Sequence, residues 1–139
     1  MRRAPRTARS WAALLPALAA AVAFAQPAPQ PARAGPCGRW LPLSRALEPL
    51  GVIDLGRDRI EWSICRGASA RQVDAPGRAL VFAIEGEPGC VLDGRRLAFL
   101  TLAPRAQGCD AELSLFTSAE ALHDARPEAW GLVEREGCR

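Results

Sequence analysis

Apolar and polar residues alternate with a period of two along much of this chain. Within the segment 59–65, the apolar residues Ile60, Trp62 and Ile64 would share one face of a strand, and the residues between them are polar. Such alternation is typical of a β-strand that is buried on one side only. The segment 79–85 (ALVFAIE) is apolar on both faces, which predicts a central strand.

Turn-forming residues separate the apolar segments. The dipeptide Asp93-Gly94 lies between two apolar stretches and predicts a two-residue hairpin, because a type I′ turn requires positive φ at both central positions. This hairpin would place Cys90 opposite Leu97. Further strands are predicted at 51–55, 96–103, 111–117 and 129–134, with a turn at 86–89 and a loop at 104–108.

One short helix is predicted late in the chain. Thr117 and Glu120 have the spacing of a capping box, the helix would continue through Ala125, and Pro127 would stop it. Many short strands with a single helix predict an all-β domain, a small antiparallel β-barrel or sandwich.

The first 25 residues have the layout of a secretory signal peptide. Four arginines precede a 14-residue uncharged apolar run at 11–24, and Ala23 and Ala25 provide small residues at −3 and −1. A helix made of that run would span about 21 Å of a hydrocarbon core roughly 30 Å thick, which is too short for a permanent transmembrane helix. We expect cleavage after Ala25 and export to the periplasm or the exterior of a bacterium.

Removal of the signal changes the charge of the protein. All 18 basic residues of the chain are arginines, and the loss of four leaves 14 against 15 acidic residues, a formal net charge of −1. A nearly neutral protein with scattered arginines lacks the basic patch that binds nucleic acid, so we expect no nucleic-acid partner. We also expect no stable membrane insertion after cleavage. The absence of Lys, Asn and Tyr, whose codons are AT-rich, indicates a GC-rich bacterial genome.

The mature chain divides into a leader and one domain. The segment 26–36 (QPAPQPARAGP) contains four prolines in eleven residues and predicts a flexible, extended leader. The segment 37–139 has 103 residues and predicts a single β-rich domain, large enough for a modest hydrophobic core.

The domain contains an odd number of cysteines, namely Cys37, Cys65, Cys90, Cys109 and Cys138. In an oxidising compartment they predict two disulfides and one spare thiol. The hairpin at 93–94 would hold Cys90 about 20 Å from Cys109, beyond the reach of a disulfide. Five cysteines allow fifteen arrangements of two bridges, and this exclusion leaves several of them open. Among these we favour the bridges Cys65–Cys90 and Cys37–Cys138, the latter joining neighbouring first and last strands of a closed barrel, with Cys109 as the free thiol.

Candidate catalytic residues are few. His123 is the only histidine, and the neighbouring Asp124 would point about 100° away on a helix, so the pair has no catalytic geometry. Ser69 lies in a Gly-Ala-Ser-Ala-Arg segment that lacks the strand–turn–helix context of a nucleophile elbow and is predicted to be a loop serine. The chain has no C-x-x-C pair. We expect no catalytic residue, no metal site and no cofactor.

Gly56-Arg57-Asp58 is predicted to turn the chain between the strands 51–55 and 59–65, and three acidic residues around this hairpin offer a further candidate site. Asp54, Asp58 and Glu61 are close in sequence and could form a paired-carboxylate site. Their positions around a turn fit exposed hairpin charges better.

Two short stretches resemble known families. Gly38-Arg39-Trp40 resembles the opening of lipocalin-like barrels and of small bacterial protease-inhibitor barrels, in which the tryptophan closes one end of the barrel. The segment 93–109 resembles the META domain of bacterial envelope proteins, although the Gly-Cys-Asn motif of that domain is replaced here by Gly-Cys-Val at Val91. The first resemblance implies a barrel with Trp40 at one end.

These observations predict an exported binding or interaction domain rather than an enzyme. Its ligand would be a protein partner or a small apolar molecule, and an inhibitor-like barrel is included in this class. The alternative is a structural envelope-associated protein without a defined ligand, and a small hydrolase using His123 is the least favoured. A ligand-filled apolar cavity would indicate a small-molecule binder, whereas a solid interior would indicate a partner-binding or structural role.

The signal-peptide hypothesis gives the first testable prediction. Protein recovered from cells should begin at Gln26, because Ala23 and Ala25 fit the small pockets of signal peptidase. N-terminal sequencing and intact mass measure this directly. An intact Met1, or a lipid attached to Cys37, would contradict it.

Overall fold

The structure is a computed structural model that describes residues 35–106 and 108–138. The predicted signal peptide and most of the leader lie outside the described residues.

Strands make up most of the described chain. They are β1 (Gly38–Pro42), β2 (Ile53–Leu55), β3 (Ile60–Glu61), β4 (Cys65–Val73), β5 (Leu80–Leu92), β6 (Arg95–Arg96), β7 (Phe99–Pro104), β8 (Asp110–Phe116) and β9 (Ala129–Arg135). The described residues also contain one α-helix, α1 (Ala119–His123), which follows β8, and one 3-10 turn (Glu48–Leu50), which precedes β2. Among the described residues, no helix has the length and apolar character needed to cross a membrane.

The strands form one antiparallel sheet that curls into a nearly closed barrel. Their order is β3-β2-β1-β9-β8-β7-β5-β4, and β6 pairs with β5 outside this path. The two ends of the order, β3 and β4, lie side by side without a ladder of backbone hydrogen bonds among the described residues. We call this gap the seam.

The predicted all-β class is confirmed, and so is the predicted pairing of the first and last strands.

The interior of the barrel is filled by side chains. Alternate residues of the strands point inward, and the largest that are fully buried are Phe82, Leu47, Ile53, Leu55, Leu97, Leu100, Leu102, Leu113, Leu115 and Val133. Trp62 joins this cluster with 6% exposure, as the alternation predicts. Burial of these apolar surfaces is the main favourable contribution to folding.

The hairpin at Asp93-Gly94 is confirmed. Asp93 has φ 49° and Gly94 has φ 75°, the signs that a type I′ turn requires. The amide of Leu97 donates to the carbonyl of Cys90, so these two residues are opposite each other as predicted.

Two local predictions for the first half of the domain are wrong. The predicted strand 59–65 ends at Glu61, because the amide of Cys65 donates to the carbonyl of Trp62 and closes a turn there. The chain then continues as β4, which the sequence did not predict. Ser69, predicted to lie in a loop, is therefore a strand residue.

The predicted turn at 86–89 is also wrong, because β5 continues through it to Leu92. Gly86 and Gly89 have positive φ, and the register between β4 and β5 shifts between Arg66 and Ala68. The glycines thus accommodate an irregularity within a long strand rather than ending it.

The helix is present but its cap differs by one residue. Ser118, not Thr117, is the N-cap, and its hydroxyl accepts a hydrogen bond of 3.0 Å from the amide of Ala121. α1 ends at His123, earlier than predicted.

Gly86 provides a stability test of the close contact between β4 and β5. A Cβ at this position would meet the carbonyl oxygen of Gly67, at a φ of 110°. Gly77 has a similar φ of 101° but open space around its Cβ position. We expect Gly77→Ala to lose about 1–3 kcal/mol through backbone strain alone. Gly86→Ala should lose a further ~1–3 kcal/mol through overpacking.

Chemical denaturation of both variants measures the difference in the free energy of unfolding. Equal losses for the two would show that the backbones of β4 and β5 are not in tight contact at Gly86.

Candidate functional site

Two disulfides lie at opposite ends of the barrel. Cys65 and Cys90 are partners in the β4–β5 register, with 3.9 Å between their Cα atoms, and form the predicted bridge. The second bridge joins Cys109, just before β8, to Cys138, just after β9, with 5.5 Å between the Cα atoms. Two disulfides are consistent with an oxidising compartment.

The predicted bridge Cys37–Cys138 is wrong, and so is the prediction that Cys109 is free. The free cysteine is Cys37, which is exposed. The β8–β9 register places Cys109 beside Arg135, whose amide donates to the carbonyl of Cys109. The amide of Cys138 then donates to the carbonyl of Arg135, which closes a turn that directs Cys138 toward Cys109 rather than toward β1.

The segment before β1 is held at the barrel end that carries the Cys109–Cys138 bridge. The indole Nε1 of Trp40 donates to the carbonyl of Pro36 at 3.0 Å. The Nη2 of Arg135 donates to the carbonyl of Cys37 at 2.7 Å. Trp40 is buried at this end, as the resemblance to barrel proteins implies.

A cavity of about 270 Å³ lies at this end beside the seam. One wall comes from Pro36, Cys37 and the β2–β3 turn, and the opposite wall comes from Arg71 and Gln72 near the end of β4. Phe82, a core residue of β5, contributes apolar surface to the lining.

A second cavity, of about 250 Å³, also touches Pro36. Its apolar lining includes the core residues Trp40, Leu102 and Ala111 and the half-buried Leu80. Its charged residues are Arg78, Asp110 and Arg135. We call the barrel end with these two cavities the mouth. Its lining residues are Gly35, Pro36, Cys37, Trp40, Gly56, Arg57, Asp58, Arg71, Gln72, Arg78, Leu80, Phe82, Leu102, Pro104, Gly108, Asp110, Ala111 and Arg135.

Positive charge predominates around the mouth. Four arginines and two aspartates line it. Arg71 contacts Glu85 at 3.1 Å, and Arg135 is engaged with the carbonyl of Cys37. Arg57 and Arg78 take part in no ion pair or hydrogen bond among the described residues. Their guanidinium groups are therefore available to carboxylate or phosphate groups of a ligand.

The candidate catalytic residues are not brought together. His123 is exposed on α1, which follows the end of β8 far from the mouth, and Ser69 is in the middle of β4. Asp54 and Glu61 flank Arg59, at 3.7 and 3.4 Å from its guanidinium, as expected for exposed hairpin charges. Asp58 is separate from them and lines the mouth. Among the described residues, no cluster of His, Cys, Asp or Glu has the geometry to hold a metal ion.

Sequence reasoning did not identify the mouth. Arg57 and Arg78 lie in connecting segments that carry no motif, and they line cavities at the same end of the barrel because antiparallel pairing returns the ends of several strands to that end. Knowledge of the register would be needed to find them.

No protein-family model, curated protein or solved structure matches this chain.

The disulfide arrangement predicts a specific chemical modification. Alkylation of the unreduced, denatured protein should label one cysteine per molecule, and peptide mapping should place the label on Cys37. Peptides containing Cys109 and Cys138 should be recovered as a linked pair. A label on Cys109 with Cys37 linked to Cys138 would contradict this arrangement.

Proposed function

We propose that this protein is an exported interaction module that binds a protein partner through the mouth of its barrel. The observation that carries the proposal is the combination of two adjoining cavities, an apolar lining and two unpaired arginines at one end of the fold. Arginine and buried apolar anchors are the groups that contribute most to protein interfaces.

The filled interior favours a protein partner over a small apolar molecule. Fully buried residues of several strands occupy the space in which a barrel could hold a ligand. Cavities for small ligands are usually about 300–1,000 Å³. The two cavities of the mouth, at about 270 and 250 Å³, suit one or two side chains of a partner.

Export is part of this proposal. The two disulfides support an oxidising compartment, and the signal-peptide pattern of the first 25 residues supplies a route to it. The periplasm and the exterior both satisfy these conditions.

Charge reversal at the mouth tests the proposal. We expect Arg57→Glu and Arg78→Glu to reduce the capture of a specific partner from periplasmic extract by about tenfold or more, because a buried charge contact is replaced by repulsion. Arg45→Glu is a matched control, since Arg45 is exposed and lies beyond the opposite end of β1. Quantitative mass spectrometry of proteins retained by the immobilised mature domain gives the measurement.

Two outcomes would count against a binding role at the mouth. Equal retention of the same partners by wild type and both mouth variants would place the interface elsewhere. A His123→Ala protein that keeps its fold and its partners but loses its phenotype would favour the hydrolase instead, since His123 is remote from the mouth.

A further inference from the structure

We infer that the partner binds as an extended strand along the free edge of β4, with apolar and acidic side chains in alternation. This inference rests on the proposed function, because it names the kind of segment that would occupy the mouth. The partner would then form backbone hydrogen bonds with β4 in addition to its side-chain contacts at the mouth.

Among the described residues, one edge of β4 is not hydrogen-bonded to another strand, although β3 lies beside its first residues. β4 spans nine residues and pairs with β5 on one side only, while its neighbour across the seam, β3, has just two residues. Beyond the turn at Cys65, no backbone hydrogen bond joins β4 to β3 in the described chain. In an edge strand, alternate amide and carbonyl groups point outward, where an added strand can pair with them.

The register of β4 determines which side chains such a segment would carry. Gln72 is opposite the inward-facing Phe82, and Arg71 is opposite Ala83. A residue of the added strand beside Gln72 would therefore point into the cavity lined by Phe82, and it should be apolar. Its neighbours in sequence would point to the outer face beside Arg71, because side chains alternate along a strand.

The positive charge of Arg71 favours acidic residues at those positions of the added strand that face outward. Arg71 is 56% exposed and its contact with Glu85 is at the surface, so the contact is weak and open to exchange. Arg57, which lines the cavity on the β2–β3 turn, has no partner among the described residues and adds positive charge at the same end of β4. Asp58 is the acidic residue of this cavity lining, against two arginines.

A synthetic peptide tests the inference without knowledge of the natural partner. The probe is a blocked seven-residue peptide that alternates valine and glutamate, added to the intact mature protein. We expect slower hydrogen exchange at alternate amides between Ala68 and Val73, and slower alkylation of Cys37, which lines the same cavity. The alternation of protected amides is the signature of an added strand.

Matched peptides separate strand addition from simple charge attraction. N-methylation of every valine blocks the donors on one edge of the peptide, and N-methylation of every glutamate blocks the other edge. We expect one of these two peptides to lose binding by about tenfold or more, while the other binds nearly as well as the parent. A peptide with lysine in place of glutamate should bind at least about tenfold more weakly.

Protein variants complete the test. Arg71→Glu should weaken binding of the glutamate peptide, and Arg45→Glu, at the far end of the barrel, should leave it unchanged. Absence of binding, equal binding of both N-methylated peptides, or protection that does not alternate along β4 would overturn the inference. The proposed function would survive that result if Arg57→Glu and Arg78→Glu still abolish capture of the natural partner.

Discussion

The pairing of β1 with β9 is the interaction on which the rest of the structure depends. It joins the two ends of the domain through the partners Trp40 with Arg135, Leu41 with Glu134, and Pro42 with Val133. Without this ladder, β1, β2 and β3 would have no sheet to extend, and the inward faces of Trp40 and Ile53 would lose the core against which they pack. The same pairing brings Arg135 to the carbonyl of Cys37, so this ladder also builds the mouth.

Most of the strands in which apolar and polar residues alternate clearly could be predicted from the sequence. The type I′ turn at Asp93-Gly94 could be predicted as well. Asp93-Gly94 could be identified because its backbone requirement is local, and Trp62 because its neighbours define an apolar face. β4 was missed because its small and charged residues, Arg-Gly-Ala-Ser-Ala-Arg, have little apolar signal. It is a strand because β5 offers it a long partner, which is a tertiary effect that propensity does not contain.

The cysteines show that a correct prediction of neighbouring strands can still lead to a wrong prediction of a disulfide. The first and last strands do pair, yet Cys37 remains free, because the turn at Arg135–Cys138 reverses the chain just before the ladder would reach Cys138. When two strands are neighbours, their residues come within about 10 Å of one another. A disulfide needs Cα atoms within ~7 Å and suitably directed Cβ atoms. A single turn, with Gly137 at φ 74°, decides between the two arrangements.

Arg57 and Arg78, which are unpaired at the mouth, differ physically from the arginines that form ion pairs elsewhere on the barrel. Exposed pairs such as Arg39 with Glu136 and Arg95 with Glu128 contribute little to stability, so their loss or gain has little effect on folding. The same reasoning means that unpaired Arg57 and Arg78 carry little penalty in the isolated protein, because water solvates them. In the proposed complex a partner would exclude that water, and each guanidinium would then need an acceptor, which would favour segments that supply one. An end of the barrel that is neutral for folding can therefore be selective in binding.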